Sequence, residues 1–331
     1  MILLQLLEGL VRLLWFKYKK LFLIILSGPL LIVFMVAVVT PIFLRHVAYS
    51  VPAERQVKPA YKAGSFKIKY TGISGYEISN GQTTVLTDPV ITRPTFSTLL
   101  SGPVEIDEAL VKKTFPRADY ILINHSHFDH AIDAAIIAEH TGATIVGSEN
   151  TLNLARARGI PEARLIQTRD GLVVTLGSFK VTMVKGQHAP IGPIENPMSG
   201  YLKPEKKKRW FWQYYLDETY IFHLQGPRRS VWFHPTVRYY PGEYKNLRAD
   251  VLIHGVTGGY KFKRSEIREV LETVMPRVVI PSHYDNFFQP VSKGLALLPS
   301  TQLHSFNKLL SETNFKAENF VLDYNEAFYL K

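Results

Sequence analysis

Four residues able to ligate a metal crowd into six positions at His125, His127, Asp129 and His130, and they constrain this 331-residue chain more than any other feature. An apolar, strand-like run from Tyr120 to Asn124 leads into them and a helical pattern follows. Strand end, loop and helix start is where sites on α/β folds usually form, and a short loop aims alternate imidazoles at one point. Neutral imidazole nitrogen with carboxylate oxygen suits Zn²⁺, with Mn²⁺ or Fe²⁺ as alternatives. The chain has no cysteine, so thiolate sites, disulfides and iron–sulfur clusters are excluded and any metal rests on His and carboxylate. Six positions cannot complete two coordination spheres, and the further candidates are His188, His234, His254 and His283.

The surrounding pattern is α/β. Segments 66–71, 83–87, 119–124, 143–147, 172–175 and 179–184 read as strands, and 130–141, 150–158 and 264–274 as helices, the last with Ile267, Val270, Leu271 and Val274 on one face. Strands with interspersed helices indicate a layered α/β arrangement, and no internal repeat is strong enough to argue from.

Upstream, residues 21–44 carry no charge over 24 positions, long enough for a transmembrane anchor. The Gly28-Pro29 pair is tolerated in such a helix, where neighbouring groups satisfy the freed carbonyl. Residues 1–20 read as an amphipathic interfacial segment, with Trp15, Phe16 and the Lys17, Lys19, Lys20 cluster at the headgroups. Residues 45–64, with Pro52, Pro59 and Gly64, read as a linker, and 65–331 as the folded domain. Of the net charge of +11, residues 1–62 hold +6, leaving +5 for the rest. That remainder argues weakly for nucleic acid and better for an anionic surface or substrate. The expected location is a membrane, with the domain facing the extracytoplasmic side.

The His-x-His-x-Asp-His run after a strand resembles that of the metallo-β-lactamase superfamily, and the shared motifs extend over roughly residues 66 to 290. The resemblance implies a four-layered αββα sandwich with metals at one edge of two sheets. His125, His127 and His188 would hold one ion, and Asp129, His130 and His283 a second, with a water between them as nucleophile. Asp88, in VLTDP, matches the family's first-motif aspartate, which orients metal-bound imidazoles from behind. There is one departure. Where relatives carry a Gly-Asp pair whose aspartate bridges both ions, this chain has Phe233-His234. Imidazole cannot bridge as a carboxylate does, so His234 either caps one ion, or only one metal binds well, or His234 is a hydrogen-bonded histidine near the site. His254 follows the strand-like DVLI and either reaches the pocket to donate to substrate or packs in the core. Asp129, His254 and Asp88 are therefore the catalytic candidates, with Asp285 or Tyr284 as possible aids to proton transfer beside His283.

The sequences around Asp88, HSHFDH and IPSHYDNF look similar to the branch containing ascorbate-6-phosphate lactonase and N-acyl-phosphatidylethanolamine-hydrolysing phospholipase D. Segment 203–217, KPEKKKRWFWQYYLD, reads as an inserted hairpin or loop between strands at 199–202 and 219–224. Its cations suit lipid phosphates and its aromatics a membrane interface. The expectation is a hydrolase of a membrane-lipid phosphodiester or ester. Alternatives are a lactonase or other small-molecule hydrolase, and a metal-binding membrane protein that has lost turnover. A basic aromatic loop also stacks bases, but the anchor disfavours nucleic acid as partner.

Overall fold

The computed structural model describes residues 47–48, 66–190, 194–236, 238, 242–245, 247–258, 263–313 and 315–330. The expected interfacial segment, anchor and nearly all of the linker lie outside them. Among the described residues, no helix is long and apolar enough to cross a membrane. Residues Val47–Lys331 form one compact unit.

Sixteen strands occur among the described residues: β1 Val47–Ala48, β2 Phe66–Gly72, β3 Gly75–Ser79, β4 Thr84–Thr87, β5 Tyr120–Leu122, β6 Thr144–Gly147, β7 Leu165–Gln167, β8 Val173–Leu176, β9 Phe179–Lys185, β10 Tyr220–Gln225, β11 Ser230–His234, β12 Val251–Gly255, β13 Val278–Ser282, β14 Ala296–Leu297, β15 Glu318–Asn319 and β16 Ala327–Leu330. The helices are α1 Phe96–Ser101, α2 Glu108–Thr114, α3 Phe128–Ala131, α4 Ala134–Thr141, α5 Glu149–Ala157, α6 Arg264–Val274 and α7 Leu303–Glu312.

Two seven-stranded sheets make the frame, ordered β16-β2-β3-β4-β5-β6-β7 and β15-β13-β12-β11-β10-β9-β8. Each is antiparallel at one end and parallel at the other, and β1 pairs only with β14. Period-2 alternation sorts the side chains of the first sheet. Tyr76, Ile78, Val85, Leu122 and Val146 join the core shared with the second sheet. Leu86, Ile121, Ile123 and Ile145 face a separate core with Val111, Ile136, Ile137 and Leu152 from the helices that cover this sheet. On the far side, Ile267, Val270, Leu271 and Val274 of α6 and Phe306 of α7 pack against the second sheet. Burying each such side chain contributes about 1.5–3 kcal/mol. The layers are thus helix, sheet, sheet, helix.

Two expected elements differ. The 130–141 helix is broken at Ile132-Asp133, because the Asp133 carboxylate is spent outside the helix, accepting from Ile91 N (2.7 Å), Thr92 N (2.9 Å) and Thr92 Oγ1 (2.6 Å). Segment 199–202 is not a strand; it forms one bridge, Ser199 to Leu216. A buried side-chain amide does the pairing instead, with Asn150 Nδ2 donating to Gly200 O and Tyr215 O and its Oδ1 accepting from Leu202 N.

Candidate metal centre

The loop after β5 carries His125 and His127, and α3 carries Asp129 and His130. The structure brings two groups of donors together, His125 with His127 and His188, and Asp129 with His130 and His283, the ligand atoms within each group lying within 4.8 Å of one another. His125 and His130 rings stand 3.9 Å apart, so the groups adjoin.

Hydrogen bonds engage one nitrogen of four of these five imidazoles. Asn124 Nδ2 donates to Tyr220 O, which leaves its Oδ1 to accept from His125 Nδ1 (2.6 Å). His130 Nδ1 donates to Asp88 Oδ2 (2.7 Å), His188 Nδ1 to Ala189 O (2.5 Å) and His127 Nε2 to Pro197 O (3.2 Å). The His125, His127 and His188 rings, neutral, are each left with one lone pair. Two of these, on His125 Nε2 and His127 Nδ1, face each other at 3.1 Å. Two lone pairs at that distance repel unless a cation or proton lies against them, so the residues present fit a divalent ion of borderline hardness.

Charge states agree. Burial pushes the His125 pKa down, and neighbouring imidazoles push the same way. Burial likewise lowers His127 to about 4 and His188 to about 3, which keeps both neutral and able to donate a lone pair. Burial of Asp129 favours its acid form, but His130 and His283 outweigh it and the pKa falls. His130 runs opposite to its neighbours: burial lowers its pKa, and Asp129 and Asp88 more than reverse that.

Asp88 is fully buried, and its carboxylate also accepts from Asn124 N (2.7 Å) and Ser74 Oγ (3.2 Å), tying the His130 ring to the loop that begins the motif. Asp88, Ile73 and His283 all have positive φ, at 39°, 59° and 58°. For a β-branched residue such as Ile73 this is strained backbone, and it persists because its two ends are held: Ile73 O accepts from His283 N (2.8 Å) and Ile73 N donates to Asp285 Oδ1 (2.7 Å). Strain of this kind collects at functional sites.

Asp285 is a brace rather than a proton carrier. Its carboxylate, fully buried, accepts from Tyr70 Oη (2.9 Å) and Tyr324 Oη (2.7 Å) and pairs with Arg93 Nη2 at 2.7 Å. Gly72, at φ +110°, is required there, since a Cβ would lie 2.1 Å from Arg93 Nη2. Tyr284, also buried, donates to Leu322 O. Sequence reasoning missed Arg93, Tyr70, Ser74 and Tyr324, which lie far apart along the chain; Asn124, adjoining the motif, is the one that could have been suspected.

His234 and His254 are corrections. Phe233 meets Tyr76 of the first sheet, so strand alternation turns His234 to the opposite face, where its Nε2 pairs with buried Glu243 at 3.2 Å. His254, its register partner on β12, stands beside it at 4.7 Å and stacks on Phe306 of α7. Among the described residues neither belongs to the two donor groups, and both rings face the helical layer rather than the HSHFDH loop.

The 203–217 segment forms a loop, one of the two forms expected, before β10. Tyr214 is buried and Phe211 packs on Phe128, leaving Trp212, 40% exposed, as the outward aromatic.

A model of the beta-lactamase superfamily domain matches residues 67–283. The chain belongs to this superfamily. A metal-dependent hydrolase of Pyrobaculum arsenaticum is 27% identical over 227 residues, covering 67% of this chain and 85% of the relative. Another, from Symbiobacterium thermophilum, is 26% identical over 221 residues with the same coverage. A solved metallo hydrolase of Ignicoccus hospitalis shares the fold at TM-score 0.53 and 18% identity, covering 81% of this chain and 99% of that one. The isothiocyanate hydrolase from Delia radicum gut bacteria does so at TM-score 0.53 and 12% identity, covering 80% of this chain and all of that one (100%). With the fold and donor set described, this superfamily member is a metal-dependent hydrolase.

Proposed function

We propose that this hydrolase uses zinc, is held at a membrane by residues 21–44 with its domain on the extracytoplasmic side, and cleaves a phosphodiester or ester of a membrane lipid in the manner of a phospholipase D. The observation that carries the reading is the convergence of six donors from three distant segments, each imidazole of the first group presenting one lone pair. An ion bound there lowers the pKa of a water and polarises the bond to be cleaved. The chain's own groups do the positioning: Asp88 and Asn124 fix the His130 and His125 rings, and Asp129, ionised at neutral pH, would add a carboxylate donor to the second group.

Support for an acyl-bearing substrate comes from a 730 Å³ cavity lined by Ile91, Pro94, Pro103, Val104, Leu110 and Val291, on the loop that follows Asp88. The Phe287 ring is 5.6 Å from that of His283, and the adjoining Phe288 packs on Phe96.

The test is elemental analysis of the purified full chain together with lipid composition of vesicles before and after exposure. Zinc with consumption of a vesicle lipid is expected. Preference for soluble esters or lactones over vesicle lipid overturns the substrate reading, and retained metal without any product overturns the hydrolytic one.

A further inference from the structure

A second cavity, of 370 Å³, lies among the start of α2, α4, α5 and the basic loop, and none of its lining residues belongs to either donor group. That volume falls in the range of about 300–1,000 Å³ that small-molecule sites occupy. Its floor is apolar, with Ile132, Ile136, Leu154 and Ala157, and its rim holds five cationic side chains against Glu105 and Glu108.

Most of those cations are already paired. Lys208 meets Glu105 at 2.6 Å, Lys207 meets Glu205 at 2.6 Å, and Arg158 reaches Glu108 (3.1 Å) and Glu139 (2.7 Å). Two are different. Lys206 is exposed, and among the described residues no carboxylate lies within 4 Å of it. Arg209 is only 7% exposed; its guanidinium donates to the carbonyls of Lys203, Glu205 and Lys207, and the Glu205 carboxylate acts on it only from beyond ion-pair distance. Three of its five N–H groups are so engaged, leaving two. A buried cation is ordinarily matched by an anion, because carbonyl dipoles replace only part of its hydration.

From this we infer that the cavity is a binding site for an anionic amphiphile, its phosphate or carboxylate head on Arg209 and Lys206 and its alkyl chain along α4 and α5. The apolar floor excludes a purely polar anion as the preferred ligand. The site stands apart from the metal centre, and its occupancy is read without turnover.

The full chain is held in dodecyl maltoside micelles and titrated with dodecyl phosphate, followed by the fluorescence of the stacked Trp210 and Trp212 beside Arg209 and by the unfolding temperature. Saturable binding is expected, weakened about tenfold or more by Lys206→Glu, which removes a head contact, and by Ala157→Phe, which fills the floor. Both variants should keep the wild-type metal content. Inorganic phosphate should bind at least about tenfold more weakly than dodecyl phosphate. Displacement of dodecyl phosphate by dioleoyl phosphatidic acid identifies a membrane lipid as the source, and its failure to displace identifies a free single-chain amphiphile. No saturable binding, binding unchanged in both variants, or inorganic phosphate binding as tightly as dodecyl phosphate overturns the inference.

Discussion

In the loop after β5, His125 Nε2 and His127 Nδ1 turn their lone pairs on each other at 3.1 Å, whereas His234 and His254, side by side on β11 and β12, lay their rings near one another at 4.7 Å in an aromatic layer with Tyr244 and Phe306. Both groups are buried histidines beside carboxylates. The first sits on irregular backbone, where each ring is aimed individually by a carbonyl or an amide. The second sits in regular strands, where alternation fixes which face a side chain takes, and here that face is the helical layer. Residue type supplies a ligand; backbone geometry decides whether ligands converge.

That contrast is breakable, beginning with the largest effect. His127→Ala removes a donor from the first group, and a loss of activity on the order of 10³-fold or more is expected with loss of bound metal by elemental analysis. Activity retained with full metal would show that the lone-pair arrangement is not an ion site. Next, Asp88→Asn leaves every donor in place but weakens the hold on His130; metal affinity should fall about 10–100-fold in a chelator competition.

On the other side of the second sheet, His234→Ala removes the imidazole beside the buried Glu243 carboxyl and should cost about 1–3 kcal/mol in denaturant unfolding while metal content stays unchanged. A drop in metal stoichiometry would return His234 to the site. The last effect is one of pH, spread over several units. Burial, with His234 adding to it, lowers the His254 pKa to about 3, below the unfolded value near 6.5. Below pH 6.5 the unfolded chain therefore binds a proton that the folded chain refuses. The stabilisation is complete above pH 6.5 and is lost as pH falls toward 3, with a slope of up to about 1.4 kcal/mol per pH unit. His254→Phe should flatten the slope over that window, measured by urea unfolding at several pH values.

The strands at 66–72, 84–87, 144–147 and 179–185 and the helix at 264–274 were legible within a residue or two, because alternation and 3.6-residue periodicity are local consequences of which face is buried. So were His125, His127, Asp129 and His130, since imidazoles and carboxylate in a six-position run are few and chemically distinctive, whereas His188 and His283 stood out from His234 and His254 only through the resemblance to the superfamily. The brace of Arg93, Asp285, Tyr70 and Tyr324 was not, because nothing in a single tyrosine or arginine announces a partner 39 or 215 positions away.

By itself, then, the sequence determined the alternation that builds two sheets and the kinds of atom able to hold an ion without thiolate. Only the tertiary structure decided which histidines meet. Convergence depends on the relative placement of β5, β11, β12 and β13, which is set by packing across the sandwich and by strained turns at Ile73, Asp88 and His283. Those are long-range constraints that no local pattern of residues encodes.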